Sequence, residues 1–426
     1  MSEKAVVFLI ALAIGLASFI IHMPPEASGI LFGRQIVQAP FYDDFYQSVY
    51  NGLYVGACSG GSGWVNGDVM RLVCEGRQVF PIPYMDYKLN QPPLYLFLAS
   101  LSMYVSNALG FKPGLPQASL VFYLLQSFVE IVFLIASALI YYRFTRVIEA
   151  PIQKRLLSLF FPSLIAYSIY SLDTLTLFFL VSSLYCLAAR KTTYSALMLA
   201  LGSSVNIFLL VPLALLVYLD ARGWLQINYI PVLLGLTPYI LFLLASPGSL
   251  LDYLTYLIEN SSNNGLAIIL SSLAGRVGYG LWVGLYMAVI YMLLLLGERP
   301  GGGGFHSVLI SFTLLAIVLN PSLPPQSLVL MTPLLYLPLT SLQDLTLLYA
   351  TDFLNTLVIP MWFKDSTLRY YANMYLGLNL PVYDNPFSLD SPVQWVVQAR
   401  NILLITLVLK ATSQLSWPRV FKVNKS

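Results

Sequence analysis

The sequence predicts an all-α polytopic membrane protein of about twelve transmembrane helices, with a large first extracytoplasmic loop containing an interfacial helix. Three observations carry this. Only 10% of the 426 residues are charged and 58% are hydrophobic, where a soluble domain carries roughly 25% charged residues. Apolar runs of roughly 17–25 residues recur from end to end, each long enough for a bilayer core of about 30 Å. The runs are continuous rather than alternating, and of the two structures that satisfy their backbone in lipid this specifies helices, not a barrel. The net charge of +3, with no Lys/Arg run, gives no basis for nucleic acid as a partner and leaves membrane lipids as the main solvent.

The first run, "AVVFLIALAIGLASFII" (5–21), has the charged start of a signal peptide, but no small-residue cleavage site follows in "HMPPEASG". It is predicted as a retained helix. Basic clusters at 141–155, 188–193, 219–224, 297–300 and 417–426 mark cytoplasmic ends. Placing them inside with the N-terminus makes 22–118 one external loop ending in helix 119–142, within a single domain 1–426. The stretch 91–110 is apolar enough to span, but a crossing there would put Arg143, Arg146, Lys154 and Arg155 outside. Charge bias prevails, so 93–109 is predicted to lie in the outer interface, started by Pro92 and Pro93. Segment 193–223 is too long for one helix and too short for two full ones, with a polar break "GSSVN" (202–206). A hairpin of two short helices meeting partway across, its break facing a cavity, satisfies both constraints. The remaining predicted spans are 156–170, 172–189, 228–245, 279–296, 303–319, 327–342, 345–362 and 393–411, with external segments at 246–278, 320–326 and 363–392.

Candidate chemistry gathers in the external segments. Asp43 and Asp44 stand in "QAPFYDDFYQSVYNGLYVG" (38–56). They suit an N-cap for the helix that follows. They equally suit a general base kept dry by Tyr42, Phe45 and Tyr46. Asp86 and Lys88 precede a double proline in "FPIPYMDYKLNQPPLYLFL" (80–98), Asp173 falls at a turn in "YSLDTLTLFFL" (170–180), and Gln326 at another in "NPSLPPQSLVLMTPLLYLP" (320–338). Cys58 and Cys74 share the first external loop, as a disulfide or as two free thiols; Cys186 is a small apolar filler. Glu130, mid-span, is a functional candidate by default, or a hydrogen-bonding partner of Gln126 one turn away. Asp352 and Asn355 form a polar stripe suited to holding helices together. His22 and His306 fall at opposite faces and cannot share a metal. No zinc cluster is present in the sequence and no cofactor is expected, although a divalent metal is compatible. "NSS" (260–262) fits a glycosylation acceptor, a pattern short enough to arise by chance.

Taken in order, these elements resemble the GT-C superfamily of integral membrane glycosyltransferases, which use polyprenyl-phosphate-linked sugars. They are an acidic pair after the first helix, a double proline before an interfacial helix, a helix ending in basic residues, an external Asp, a short hairpin and a "PQ" turn. "DFYQSVYNGLYVG" followed by "QPPLYLFLASLSMYV" is most similar to the polyprenol-phosphate-mannose-dependent mannosyltransferases. "NPSLPPQSLVLMTPLLYLPL" is similar to the turn of the glycolipid-anchor mannosyltransferases. The resemblance implies inverting transfer of a hexose, mannose in these members, from a polyprenyl-phosphate donor to a lipid, glycan or protein acceptor. The reaction would occur at the extracytoplasmic face, of the plasma membrane in a prokaryote or the ER membrane in a eukaryote. Asp44 would be the base and Asp43 would orient it or the acceptor, with Asp173, Lys88, Arg276, Gln326 and Asp86 around the substrates. The leaving phosphate calls for a cation. The external candidates are Arg34, Arg71, Arg77, Lys88, Lys112, Arg276, Lys364 and Arg369, of which Lys88 and Arg276 are best placed. Family members often carry a Lys in the hairpin, where this chain has Asn206 in "SSVNIF", and "LNQPP" stands where an aromatic or His usually precedes the double proline. A lipid-linked-sugar flippase or multi-pass transporter is the alternative. It calls for matching helix breaks in two halves of the chain, and the break at 202–206 has no counterpart. A catalytically silent subunit is a third option, which the acids at 43, 44 and 173 oppose.

Overall fold

The computed structural model describes residues 2–35, 45–61, 63–259, 264–296, 304–321 and 323–415. Asp43, Asp44 and the "NSS" acceptor pattern lie outside the described residues. Every regular element among the described residues is helical, and β pairing is limited to isolated bridges of Tyr87 with Trp64 and Pro83.

Helix α1 (Glu3–His22) starts where the Ser2 hydroxyl accepts from the Ala5 amide at 3.3 Å. The first predicted loop is itself built of helices. It holds α2 (Pro25–Phe32), a π-helical segment Tyr46–Val55, the short α3 (Gly56–Cys58), α4 (Gly67–Cys74) and α5 (Pro93–Ala108). A disulfide joins Cys58 to Cys74. Helix α5 begins at the double proline, where a missing N–H costs nothing. Helix α6 (Pro116–Val147) is longer than the predicted 119–142, and its 32 residues reach about 48 Å at the usual rise.

The predicted span 156–170 is not one helix. It divides into α7 (Ile152–Leu157) and α8 (Pro162–Tyr167) because Pro162 forces Phe161 into extended backbone, φ −110°. Next come α9 (Asp173–Ala188), α10 (Thr192–Ser203), a 3-10 turn Ile207–Leu209 and α11 (Leu210–Ala221). The expected break at 202–206 is present: α10 stops at Ser203, and Asn206 caps the next turn by accepting from the Phe208 amide at 3.1 Å. The predicted span 228–245 is likewise divided, into α12 (Tyr229–Gly235) and α13 (Thr237–Ala245), with Pro238 in the first turn of the second. The segment expected as external at 246–278 holds α14 (Pro247–Glu259) and the start of α15 (Ala267–Leu296). Four elements complete the upper part of the chain order: α16 (Gly304–Leu319), α17 (Leu328–Tyr336), α18 (Leu342–Trp362) and α19 (Asp365–Leu376). Helix α17 is shorter than the predicted 327–342 and has Pro333 inside it. The last helix is α20 (Pro392–Gln414).

Three of these helices, α1, α6 and α20, are each long and apolar enough to cross a membrane, and shorter apolar stretches lie at 173–188, 207–221, 280–294 and 304–319. Helices α16 and α17 are apolar all round and sit at the centre, with Phe312, Leu314, Val329 and Leu334 fully buried. Helix α1 runs antiparallel to α6: Gly15 lies against Ile131, and Phe19 stacks on Tyr123 with ring centroids 5.1 Å apart.

Close approach also governs the hairpin. A Cβ on Gly202 would stand 2.6 Å from Phe179 Cβ on α9 and 2.5 Å from a Leu209 methyl. Gly202→Val should therefore cost about 1–3 kcal/mol by overpacking, read as a lower Tm. Gly248→Ala, where nothing lies within 4 Å of the new Cβ, should leave Tm unchanged.

Candidate functional site

Four segments far apart in sequence, with Tyr253 of α14, line one cavity of about 240 Å³. The first is the start of α9, contributing Ser171, Asp173 and Thr176. The backbone turns sharply there, with Leu172 in the left-handed region at φ 45°, a conformation a branched side chain adopts only under constraint. The constraint is Glu130 of α6, which is fully buried. One of its oxygens accepts from the Leu172 amide at 2.9 Å and from Gln126 at 3.2 Å; the other accepts from the Thr174 hydroxyl at 2.9 Å. Glu130 thus satisfies an orphan donor at the helix N-terminus and holds the neighbouring Asp173 in place. Asp173 is 5% exposed and accepts from the Ser171 hydroxyl at 2.5 Å.

The second segment, Asn90, Gln91 and Pro92, leads into α5, from which Tyr95 completes that wall. It is tied to the third, the hairpin break Val205–Ile207. Leu94, the first residue after the prolines to own an N–H, donates to Ser204 O at 2.8 Å, and the Tyr239 hydroxyl donates to Ser203 O at 2.5 Å. The carbonyls left open where α10 stops are thereby paired.

The fourth segment is the turn at Pro324, Gln326 and Ser327. Asn355 of α18 donates to Pro325 O at 2.8 Å, and Arg400 of α20 donates to Leu323 O at 2.9 Å. Arg400 is fully buried and makes no ion pair among the described residues. Its remaining donors go to the side-chain oxygens of Asn355 (2.7 Å) and Asn401 (2.7 Å) and to Asn264 O (2.9 Å). The polar stripe of α18 therefore clamps this turn, while Asp352 accepts from the Ser163 amide at 2.8 Å and caps α8.

Among the described residues lining the cavity, Asp173 is the one acid and no cation is present. A second, apolar cleft of about 480 Å³ adjoins it, walled by Phe208, Val211, Val283, Met287, Ile317 and Leu330. The two share Asn206, Ile207, Pro324 and Ser327. The Tyr286 hydroxyl lies buried in the apolar cleft without a hydrogen-bond partner among the described residues.

Among the described side chains, the other sequence candidates do not line the cavity. The Asp86 carboxylate accepts from the Ile82 amide at 2.6 Å and closes its own turn. Lys88 pairs with Asp252; the two are close in sequence to the lining residues Asn90 and Tyr253. Arg276 falls well inside α15 rather than near a helix start, and its side chain lies outside the described part of the structure. Arg369 is buried, bonded to Asp365 at 2.8 Å and Asp390 at 3.0 Å, with the Tyr383 ring 4.9 Å away. Phe45, which follows Asp44 in sequence, donates its amide to Tyr170 O at 3.3 Å and packs against Tyr95 with ring centroids 5.0 Å apart. Among the described residues no group of three His, Cys, Asp or Glu is placed to hold a metal ion. No protein-family model, no curated protein and no solved structure matches this chain.

Sequence reasoning missed the holding role of Arg400, although an Arg in an apolar run is itself a signal. It left open the part played by Glu130, whose partners on α9 are 42 and 44 residues away.

The Arg369 cluster makes a pH-dependent prediction. The hydrogen bond from Arg369 holds the Asp390 carboxyl below the ordinary Asp value. A depressed folded pKa contributes stability above the unfolded value and loses it as pH falls through the folded one. The protection of amides across 380–391, taken relative to their intrinsic exchange rates, should therefore fall as pH drops below about 4, and Asp390→Asn should remove that dependence.

Proposed function

We propose that the chain is a polyprenyl-phosphate-dependent hexosyltransferase acting at the outer face of a membrane. It would cross the bilayer about twelve times, several crossings being made by broken helices, with 22–118 external and α5 lying in the interface. One observation carries the proposal: a small polar cavity, whose described lining holds a single buried acid, shares its wall with a larger apolar cleft. A donor with a sugar phosphate at one end and a long hydrocarbon at the other has that division of polarity.

In the reaction an acceptor hydroxyl loses its proton to the Asp44 carboxylate, and its oxygen bonds the anomeric carbon from the side opposite the phosphate. The carbon–oxygen bond to the phosphate breaks, its electron pair leaves on the phosphate, and the configuration inverts. Asp43 orients the base. Asp173 and Gln326 bind sugar or acceptor hydroxyls. The packing of Phe45 against Tyr95 supports this assignment. Mannose is the sugar the motif resemblance favours.

The purified protein, given radiolabelled polyprenyl-phosphate mannose and a lipid or peptide acceptor extract, should transfer label. Asp44→Asn should lower turnover about 10²–10⁴-fold, the usual contribution of a general base, and remove the acidic limb of the pH profile. Asp173→Asn should act mainly on acceptor KM. Transfer by Asp44→Asn within a few-fold of wild type would discard that base. Lipid-linked sugar crossing vesicles with no transfer would favour the flippase instead.

Topology has its own check. A cysteine at Leu109, which is 57% exposed at the end of α5, should react with an impermeant thiol reagent added outside, and one at Lys154 should not, in a background lacking Cys186. External labelling at 154 would overturn the layout.

A further inference from the structure

At the other end of the antiparallel pair α1 and α6 lies a cleft of about 280 Å³ lined by Lys4, Ala5, Phe8, Leu139, Tyr142 and Arg143. The two helices present it in the same order. Each places an exposed cation at its outer end, Lys4 on α1 and Arg143 on α6. Each places an apolar residue one turn further in, Phe8 and Leu139, since residues four apart share a helix face. Neither cation makes an ion pair among the described residues. The nearby acid is already committed: Glu3 accepts from the Tyr142 hydroxyl at 2.7 Å and faces Arg155 at 3.9 Å. A third cation, Arg146, stands 6.0 Å from the centre of the Tyr142 ring. The cleft is therefore positive at its rim and apolar below.

We infer that this cleft binds the phosphate of an anionic phospholipid, with the first methylenes of an acyl chain lying along Phe8 and Leu139. Both helices are long and apolar enough to cross a membrane, so their shared charged end falls at headgroup depth. Guanidinium and ammonium groups are the usual phosphate ligands, and basic pockets between membrane helices take anionic headgroups. The site is remote from the polar cavity, with which it shares no lining residue, and does not depend on the proposed transfer reaction.

The test is native mass spectrometry of the full chain titrated with dioleoylphosphatidylglycerol, dioleoylphosphatidylcholine or inorganic phosphate. One phosphatidylglycerol should be retained in preference to phosphatidylcholine, and inorganic phosphate should not compete at equal concentration. At about a five-fold contribution from each basic side chain near a membrane surface, Lys4→Gln with Arg143→Gln should weaken retention roughly thirty-fold. Lys4→Arg with Arg143→Lys should preserve it, and Arg190→Gln, a basic residue elsewhere, should leave it unchanged. If the double Gln variant fails to fold, Lys4→Gln alone decides, with a loss of about five-fold expected. Equal retention of the two lipids, undiminished binding in the Gln variants, or equally tight binding of free phosphate would each overturn the inference.

Discussion

A helix that stops inside apolar surroundings leaves backbone donors and acceptors that water cannot reach, and each group left unpaired costs several kcal/mol in a lipid-like environment. That constraint organises this molecule. Its helices are interrupted before Pro162, at 168–172, at 204–206, before Pro238 and between α16 and α17, and side chains, with one backbone amide, from distant elements meet the open groups. Glu130 meets the start of α9, Asp352 the start of α8, Leu94 and Tyr239 the end of α10, and Asn355 and Arg400 the turn before α17.

The same constraint builds the cavity. Broken helices are where backbone and short polar side chains come to face one another instead of packing flat, and three of the breaks line the same space. Asp173 owes its place to a strained turn that a buried carboxylate holds; Gln326 owes its place to a turn that a buried guanidinium holds. Removing one partner from such a pair leaves the other buried and unsatisfied, which is the expensive case. The residues that shape the cavity are thus also residues on which the helix packing depends.

Charge is used sparingly for the same reason. Lys88, Arg369 and Lys410 are each joined to a carboxylate, and Arg400 to neutral oxygens. A cation assigned to a phosphate from sequence alone can prove committed when its partner is remote: Asp252 lies 164 residues from Lys88. Lys4 and Arg143, two exposed cations without such partners, sit at the shared charged end of α1 and α6, where headgroups rather than protein would supply the counter-charge.

The sequence by itself determined the helical class, the long apolar helices, the start of α5 at its double proline and the polar break of the hairpin. These follow from local composition, proline stereochemistry and hydrophobic run length. The breaks before Pro162 and Pro238 were also written in the chain, but continuous hydropathy masked them, because an apolar run scores alike whether or not its backbone is interrupted. Only the tertiary structure decided that Asp173, Gln91, Asn206 and Gln326 share one space, that Glu130 and Arg400 hold its walls, and that Asp86 closes its own turn. Those outcomes depend on which distant donor reaches which acceptor, and a single sequence carries no measure of that distance.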